Sequence, residues 1–196
     1  MIDSTKATLY TMKAALFGLL LFACSGLAYA HQAKTGEPRT IREVLEQSAK
    51  NLEQEFVSAA AAMPEEKYLF RPTAGEFKGV RTFAAQVKHT AAVNYDFAAA
   101  ILGEKPPVDT NHEEGPAELK SKAEILKFLN DSFAYLDRAL ATLDEKNLVE
   151  PITSPFGEGA VTRLGMAVSA LAHPMDHYGQ MVEYLRMNGI VPPSSR

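Results

Sequence analysis

His173-Pro174-Met175-Asp176-His177-Tyr178-Gly179-Gln180-Met181-Val182-Glu183-Tyr184-Leu185-Arg186-Met187-Asn188-Gly189 reads as the closing helix of a helical bundle. Asn188-Gly189 stops it, Pro192 lies just beyond, and Arg186 falls in the last turn, where a cation suits the helix dipole. Residues four apart on a helix sit one above the other, so His173 and His177 project from one face with imidazoles able to converge. Two neutral imidazoles at that spacing are half of a metal site. Pro174 conflicts locally with the pattern, because it cannot donate to the carbonyl of Ala170. Either the helix kinks there or an irregular turn divides it.

Moving upstream, this fourth helix begins near Thr162, after a loop marked by Pro151, Pro155, Gly157 and Gly159. Ser121-Lys122-Ala123-Glu124 is a capping box that opens a third helix. Its one side carries Ile125, Phe128, Leu129, Ser132, Leu136, Ala139, Leu140 and Leu143. A second helix runs from near Thr82 to about Leu102, ended by Gly103 and Pro106-Pro107, and a polar crossover continues through Pro116. Thr40-Ile41-Arg42-Glu43 is another capping box. The helix it opens carries Ile41, Val44, Leu45, Leu52, Phe56, Ala59, Ala60 and Met63 at helical period, until Pro64 ends it. Residues 64–80 read as loop, and no strand alternation appears beyond short ambiguous runs. Four amphipathic helices with intervening loops predict an all-α fold, a four-helix bundle.

The 196 residues suffice for one domain with a real core. The first stretch stands apart from it. Lys13 precedes an apolar run from Ala14 to Ala23, and Ala28-Tyr29-Ala30 fits the small-x-small rule of signal peptidase. Residues 1–30 are therefore expected to be a cleavable signal peptide, 31–37 a linker and 38–193 the bundle domain. Met12-Lys13 would itself be a natural start. The address expected is periplasmic or secreted, with a lipoprotein anchored through Cys24 as the less favoured alternative.

Cleavage removes Lys6, Lys13 and Asp3, leaving a chain one charge more negative than the −4 of the full sequence. The single cysteine leaves as well, which excludes a disulfide framework and a cysteine nucleophile. An acidic balance without a basic face argues against nucleic acid. The partner expected is a small-molecule substrate. No membrane span is expected in the mature chain, and a homodimer is left open.

His89, in Gln86-Val87-Lys88-His89-Thr90, is the other histidine expected on a helix; His31 adjoins the cleavage site and His112 lies in the crossover. Should His89 face the fourth helix, three protein ligands would leave an open coordination position, the mark of a catalytic centre. Periodicity alone does not decide this. The apolar arc of the second helix centres on Phe83, Val87, Thr90, Asn94, Phe97 and Ile101, with His89 at its shoulder beside Val93, Asp96 and Ala100. The blander alternative is three partly exposed histidines on a bundle surface.

One histidine early in the second helix, a His-x-x-x-His near the end, and the tail His-Tyr-Gly-Gln-Met-Val-Glu-Tyr-Leu-Arg-Met-Asn-Gly-Ile-Val-Pro-Pro (177–193) together resemble the DinB/YfiT-like superfamily. The resemblance covers roughly residues 38–193. It implies a four-helix bundle of unusual connectivity, with a divalent metal held by His89, His173 and His177. Pro174 departs from the family pattern, where a polar residue is frequent.

Gln180, Ser169 and Tyr184 lie on the His173–His177 stripe, where each could orient an imidazole or simply edge a buried face. Asp176 and Asp96 are candidate orienting carboxylates or general bases, although a solvated charge is the favoured reading of both. No catalytic residue is singled out. Gly179 is expected to permit close helix approach, and Tyr178 and Tyr184 to be aromatics at the core edge. Zinc, nickel or iron are the ions expected. Met166, Met175, Met181 and Met187 admit copper as a rival, although methionine is also the ordinary gap-filler of helical cores.

The leading expectation is an exported metal-dependent hydrolase or transferase; some members of the resembled family are thiol-dependent transferases. The alternative is a non-catalytic ligand- or copper-binding stress module on the same bundle. Imidazole binds metal only when neutral, so affinity should fall as pH drops through and below about 6.5, and flat retention down to about pH 5 would count against an all-histidine site.

Overall fold

The computed structural model describes residues 39–157 and 159–196. The expected signal peptide (1–30), the linker (31–37) and Cys24 lie outside the described residues. Helix α1 spans Ile41–Ala62, and its start is set by reciprocal capping. The Thr40 hydroxyl accepts from the Glu43 N–H at 3.2 Å while the Thr40 N–H donates to the Glu43 carboxylate at 2.7 Å. Leu45, Ala49, Leu52, Phe56, Ala59 and Ala60 form its buried stripe. Ile41 and Val44, expected on that stripe, are instead exposed, because the first turn overhangs the core.

Helix α2 (Phe83–Leu102) starts at Thr82 and α3 (Lys122–Leu140) at the Ser121 capping box. Helix α2 reproduces the expected boundaries, and α3 the expected start. Helix α3 ends at Leu140, however, so Leu143, read as part of its apolar side, lies beyond it. Gly103 closes α2 at φ 71°, where its N–H and that of Glu104 return to the carbonyls of Ala100 and Ala99. Helix α4 (Arg163–Met187) runs through Pro174 as one uninterrupted helix, so no irregular turn divides it. The Pro174 ring is buried, and that packing offsets the lost backbone bond. At the far end, Gly189 at φ 73° and Ile190 return hydrogen bonds to Arg186 and Leu185.

Between α3 and α4 the chain forms a two-stranded antiparallel hairpin, where only a loop was expected. Strand β1 is Pro151–Thr153 and β2 is Ala160–Thr162, with Ile152 opposite Val161. Three-residue strands are too short to show the alternation that betrays a longer one.

The order of helices around the bundle is what positions the histidines. Helix α2 packs on α3 and α4, and α1 packs on α3 and α4, so α1 and α2 face each other across a diagonal. An up-down-up-down bundle would instead make each helix a neighbour of the next in sequence. Phe56, Phe83, Phe133, Leu129, Leu136 and Leu185 fill the centre. Among the described residues no helix is long and apolar enough to cross a membrane.

Gly179 does not serve close packing, contrary to the expectation from sequence. A methyl group there would meet nothing within 4 Å, because the residue faces the open side of α4. Gly179→Ala is therefore expected to stabilise the protein by roughly 0.5–1 kcal/mol, through lower unfolded-chain entropy, in urea denaturation.

Candidate metal centre

Adjacency of α2 and α4 brings His89 against His173 and His177, which stand one turn apart on α4. The Nε2 atom of His173 lies 3.1 Å from that of His89 and 3.1 Å from that of His177. One potential ligand nitrogen from each ring falls within 4.8 Å of the others. His89 and His177 are buried, at 5% and 6% exposure, and His173 is half-buried. The blander picture of surface histidines is thereby excluded.

The donor set fits a small divalent ion. Nitrogens at about 2.0–2.1 Å from a tetrahedral zinc lie about 3.3–3.4 Å from one another, close to the spacing seen here. The backs of the rings are tied in a way that turns Nε2 inward. His89 Nδ1 lies 2.7 Å from the carbonyl oxygen of Glu113, which only accepts, so His89 donates from Nδ1 and keeps its Nε2 lone pair. His177 Nδ1 lies 2.5 Å from Gln86 Oε1. His173 Nδ1 is buried with no partner, and its ring meets Phe97 edge-on, centroids 6.0 Å apart.

Burial holds these imidazoles neutral. Desolvation, with a smaller push from neighbouring histidines, lowers His173 to about 3. Desolvation likewise lowers His177 to about 4, with His89 and Arg81 adding to it. His89 is lowered for the same reason, against an opposing contribution from its bond to Glu113. Neutral imidazole is the form that binds metal.

The carbonyl of Glu113 is delivered by an unusual turn in the α2–α3 crossover. Asn111, His112 and Glu113 all adopt positive φ, at 48°, 51° and 71°, followed by Gly115 at 71°. Three consecutive non-glycine residues in the left-handed region cost energy and persist only where the surroundings impose them. Here the Asn111 amide donates to the Gly115 carbonyl at 3.1 Å, and Glu114 pairs with Arg81 at 2.7 Å. Gly115 itself presses on α2 at Lys88.

Of the neighbours singled out in the sequence, Gln180 and Asp176 join the site indirectly. Gln86 Nε2 donates to Gln180 Oε1 at 2.7 Å, and Gln180 Nε2 donates to Asp176 Oδ2 at 3.1 Å. Tyr184 stands one step away, donating to the Arg81 carbonyl at 3.1 Å. Ser169 and His112 are exposed, and the Tyr178 hydroxyl bonds Ser194. Asp176 is exposed as expected, whereas Asp96 is half-buried and burial pushes its carboxyl up to about 6. Asp96 lines a cleft of about 450 Å³ with Ala99, Ala100, Pro106, Ile152 and Ser154. The methionines do not gather: Met166 and Met181 are core, while Met175 and Met187 are exposed.

Sequence reasoning missed Gln86 and the Glu113 carbonyl. Gln86 lies three residues before His89 and so shares its face of α2, a signal that was available. A backbone carbonyl leaves no such mark.

The DinB superfamily model matches residues 45–181. No curated protein shows significant similarity to the chain. Among solved structures, a DinB-like protein from Bacillus cereus is 19% identical with TM-score 0.62, covering 79% of this chain and 96% of that one. YfiT from Bacillus subtilis, described as a probable metal-dependent hydrolase with an unusual four-helix bundle topology, is 17% identical with TM-score 0.59, covering 80% and 94%. A mycothiol-dependent maleylpyruvate isomerase is 15% identical with TM-score 0.55, covering 71% of this chain and 60% of that longer one. At these identities the likeness is one of fold.

Proposed function

The chain belongs to the DinB superfamily, and from that premise we propose that it is an exported metalloprotein whose His89, His173 and His177 hold one divalent ion for a hydrolase or group-transfer reaction. The observation that carries this reading is the convergence of three neutral imidazole Nε2 atoms, two of them with their backs tied so that the lone pairs face one point. An ion bound there supplies Lewis acidity, polarising a substrate carbonyl or acidifying a water molecule. The chain's own part is orientation. His89 and His177 are held in register by Glu113 and Gln86, and Phe97 packs between His173 and the Phe156 ring. Zinc, nickel or iron suits an all-imidazole set, as copper does, with no thioether contribution from the dispersed methionines. The bundle domain is assigned to residues 38–193. Export is supported by Lys13, the apolar run after it and Ala28-Tyr29-Ala30.

Reconstitution followed by elemental analysis tests the reading, with one ion per chain expected. Its pH dependence is a further expected result. With His177 at about 4 and His173 at about 3, protons compete for these nitrogens only in strong acid. Burial replaces the criterion drawn from free imidazole: retention should stay level from neutral pH to about 5 and collapse on approach to pH 4. Level retention to about pH 5 is what these buried ligands predict rather than evidence against them. The metal-free protein behaves differently. Its unfolded state titrates near about 6.5 and takes up protons the folded state refuses, so stability is full above that pH and declines as pH falls toward 4. Equilibrium dialysis and thermal melts across pH 7.5–4 read the two effects, and a steep loss of metal between pH 7 and 6 would count against buried ligands.

A further inference from the structure

Behind His177, side-chain hydrogen bonds run outward from the bundle interior to its surface. His177 Nδ1 meets Gln86 Oε1 at 2.5 Å, Gln86 Nε2 meets Gln180 Oε1 at 2.7 Å, and Gln180 Nε2 meets Asp176 Oδ2 at 3.1 Å. We propose that Gln86 is a positioning residue that fixes His177 as its Nδ1–H tautomer, and that Asp176, out on the surface, sets the direction of the whole chain. This rests on His89, His173 and His177 being the ligands of one ion.

The direction follows from what each group can donate. A carboxylate accepts hydrogen bonds and donates none. Asp176 therefore requires the NH₂ of Gln180, which turns Gln180 Oε1 toward Gln86. That oxygen requires the NH₂ of Gln86, which turns Gln86 Oε1 toward His177. A carbonyl oxygen there requires a proton on His177 Nδ1, and a neutral imidazole protonated on Nδ1 presents a bare lone pair on Nε2. Gln86 is 2% exposed, so no solvent eases a reversed amide, and reversing either amide would set oxygen against oxygen or N–H against N–H. The helices make the arrangement: Asp176 and Gln180 stack four residues apart on α4, and Gln86 reaches them from α2. His89 reaches the same tautomer by another route, through the Glu113 carbonyl, while His173 has no such partner.

A purely structural role, tying α2 to α4, would leave the tautomer untouched, and that difference decides the test. Gln86→Leu, Gln86→Glu and Asp176→Asn are made in the mature protein. For each, ¹⁵N shifts of the imidazoles are read in the metal-free protein at neutral pH, and zinc affinity by chelator competition. The parent is expected to show His177 protonated on Nδ1. Gln86→Leu should transfer population to Nε2–H and weaken zinc by about 10- to 100-fold, the usual cost of losing an outer-shell partner. Gln86→Glu should restore both, because a carboxylate still accepts from Nδ1–H. Gln180 must then turn its NH₂ to the new carboxylate and give up Asp176, which is exposed and can be solvated instead. Asp176→Asn keeps size and lies on the surface but can donate, so it permits the reversed chain; a smaller shift in the same direction is expected. Unchanged tautomer and affinity in Gln86→Leu would overturn the proposal. Failure of the parent to bind zinc would instead overturn the three-histidine reading, leaving the tautomer measurement to decide the role of Gln86.

Discussion

Replacing His177 by alanine is expected to remove stoichiometric ion binding. His177 supplies one of three inward-facing nitrogens, and its loss leaves two ligands on different helices. The affinity lost should exceed the roughly 10- to 100-fold typical of an outer-shell partner, because a bond to the ion itself disappears. Stability should fall as well. Gln86 Oε1 would lose the donor it meets at 2.5 Å, in a place shut off from solvent. A stranded buried acceptor costs about 1–3 kcal/mol. Calorimetric titration with zinc and urea melts of the metal-free protein separate the two losses. Retention of one tightly bound ion in His177→Ala would remove this residue from the site.

The second large effect is expected at Gly115. Its φ of 71° suits glycine, and a methyl group there would lie 3.1 Å from the Lys88 carbonyl oxygen and 3.3 Å from a Phe128 ring carbon. Neither neighbour can yield easily, one being helix backbone and the other a ring packed against Tyr95. Left-handed strain of about 1–2 kcal/mol and overpacking of about 1–3 kcal/mol add to a destabilisation of roughly 2–5 kcal/mol for Gly115→Ala. Two residues away, Glu113 would move off His89 Nδ1, so zinc affinity should drop along with the melting temperature. A stable variant with full affinity would show that the crossover does not hold His89 in place.

Much of the fold is legible in the sequence because helix ends carry their own chemistry. Thr40 and Ser121 announce their helices by reciprocal bonds to Glu43 and Glu124, and Gly103 and Gly189 close theirs in the left-handed region. Which helices become neighbours is not written in that way. An apolar stripe says that a face is buried, not against which partner, so periodicity left His89 at a shoulder while the structure buries it. The hairpin escaped notice because Pro151–Thr153 and Ala160–Thr162 are shorter than one readable alternation. At the site, the histidines were visible by spacing and by the tail that resembles the family. Of their supports, Glu113 contributes only backbone and leaves no mark, whereas Gln86 was readable from its place one turn before His89, although the histidine it holds stands on another helix. The misreading of Gly179 has a plain cause: a missing side chain looks alike in sequence whether it admits a neighbour or faces open space.

The diagonal placement of α1 and α2 has a consequence for how the site comes into being. His89 and His173 are 84 positions apart, and the whole of α3 and the hairpin must be threaded before their rings can meet. An ion held between them would act as a late rivet, absent from any half-made chain and closing a long loop once the last helix docks. Such a rivet favours the finished molecule alone, adding about 1.4 kcal/mol for each tenfold rise in free ion above the dissociation constant. Metal supply would then govern how long the protein survives as well as what it can do.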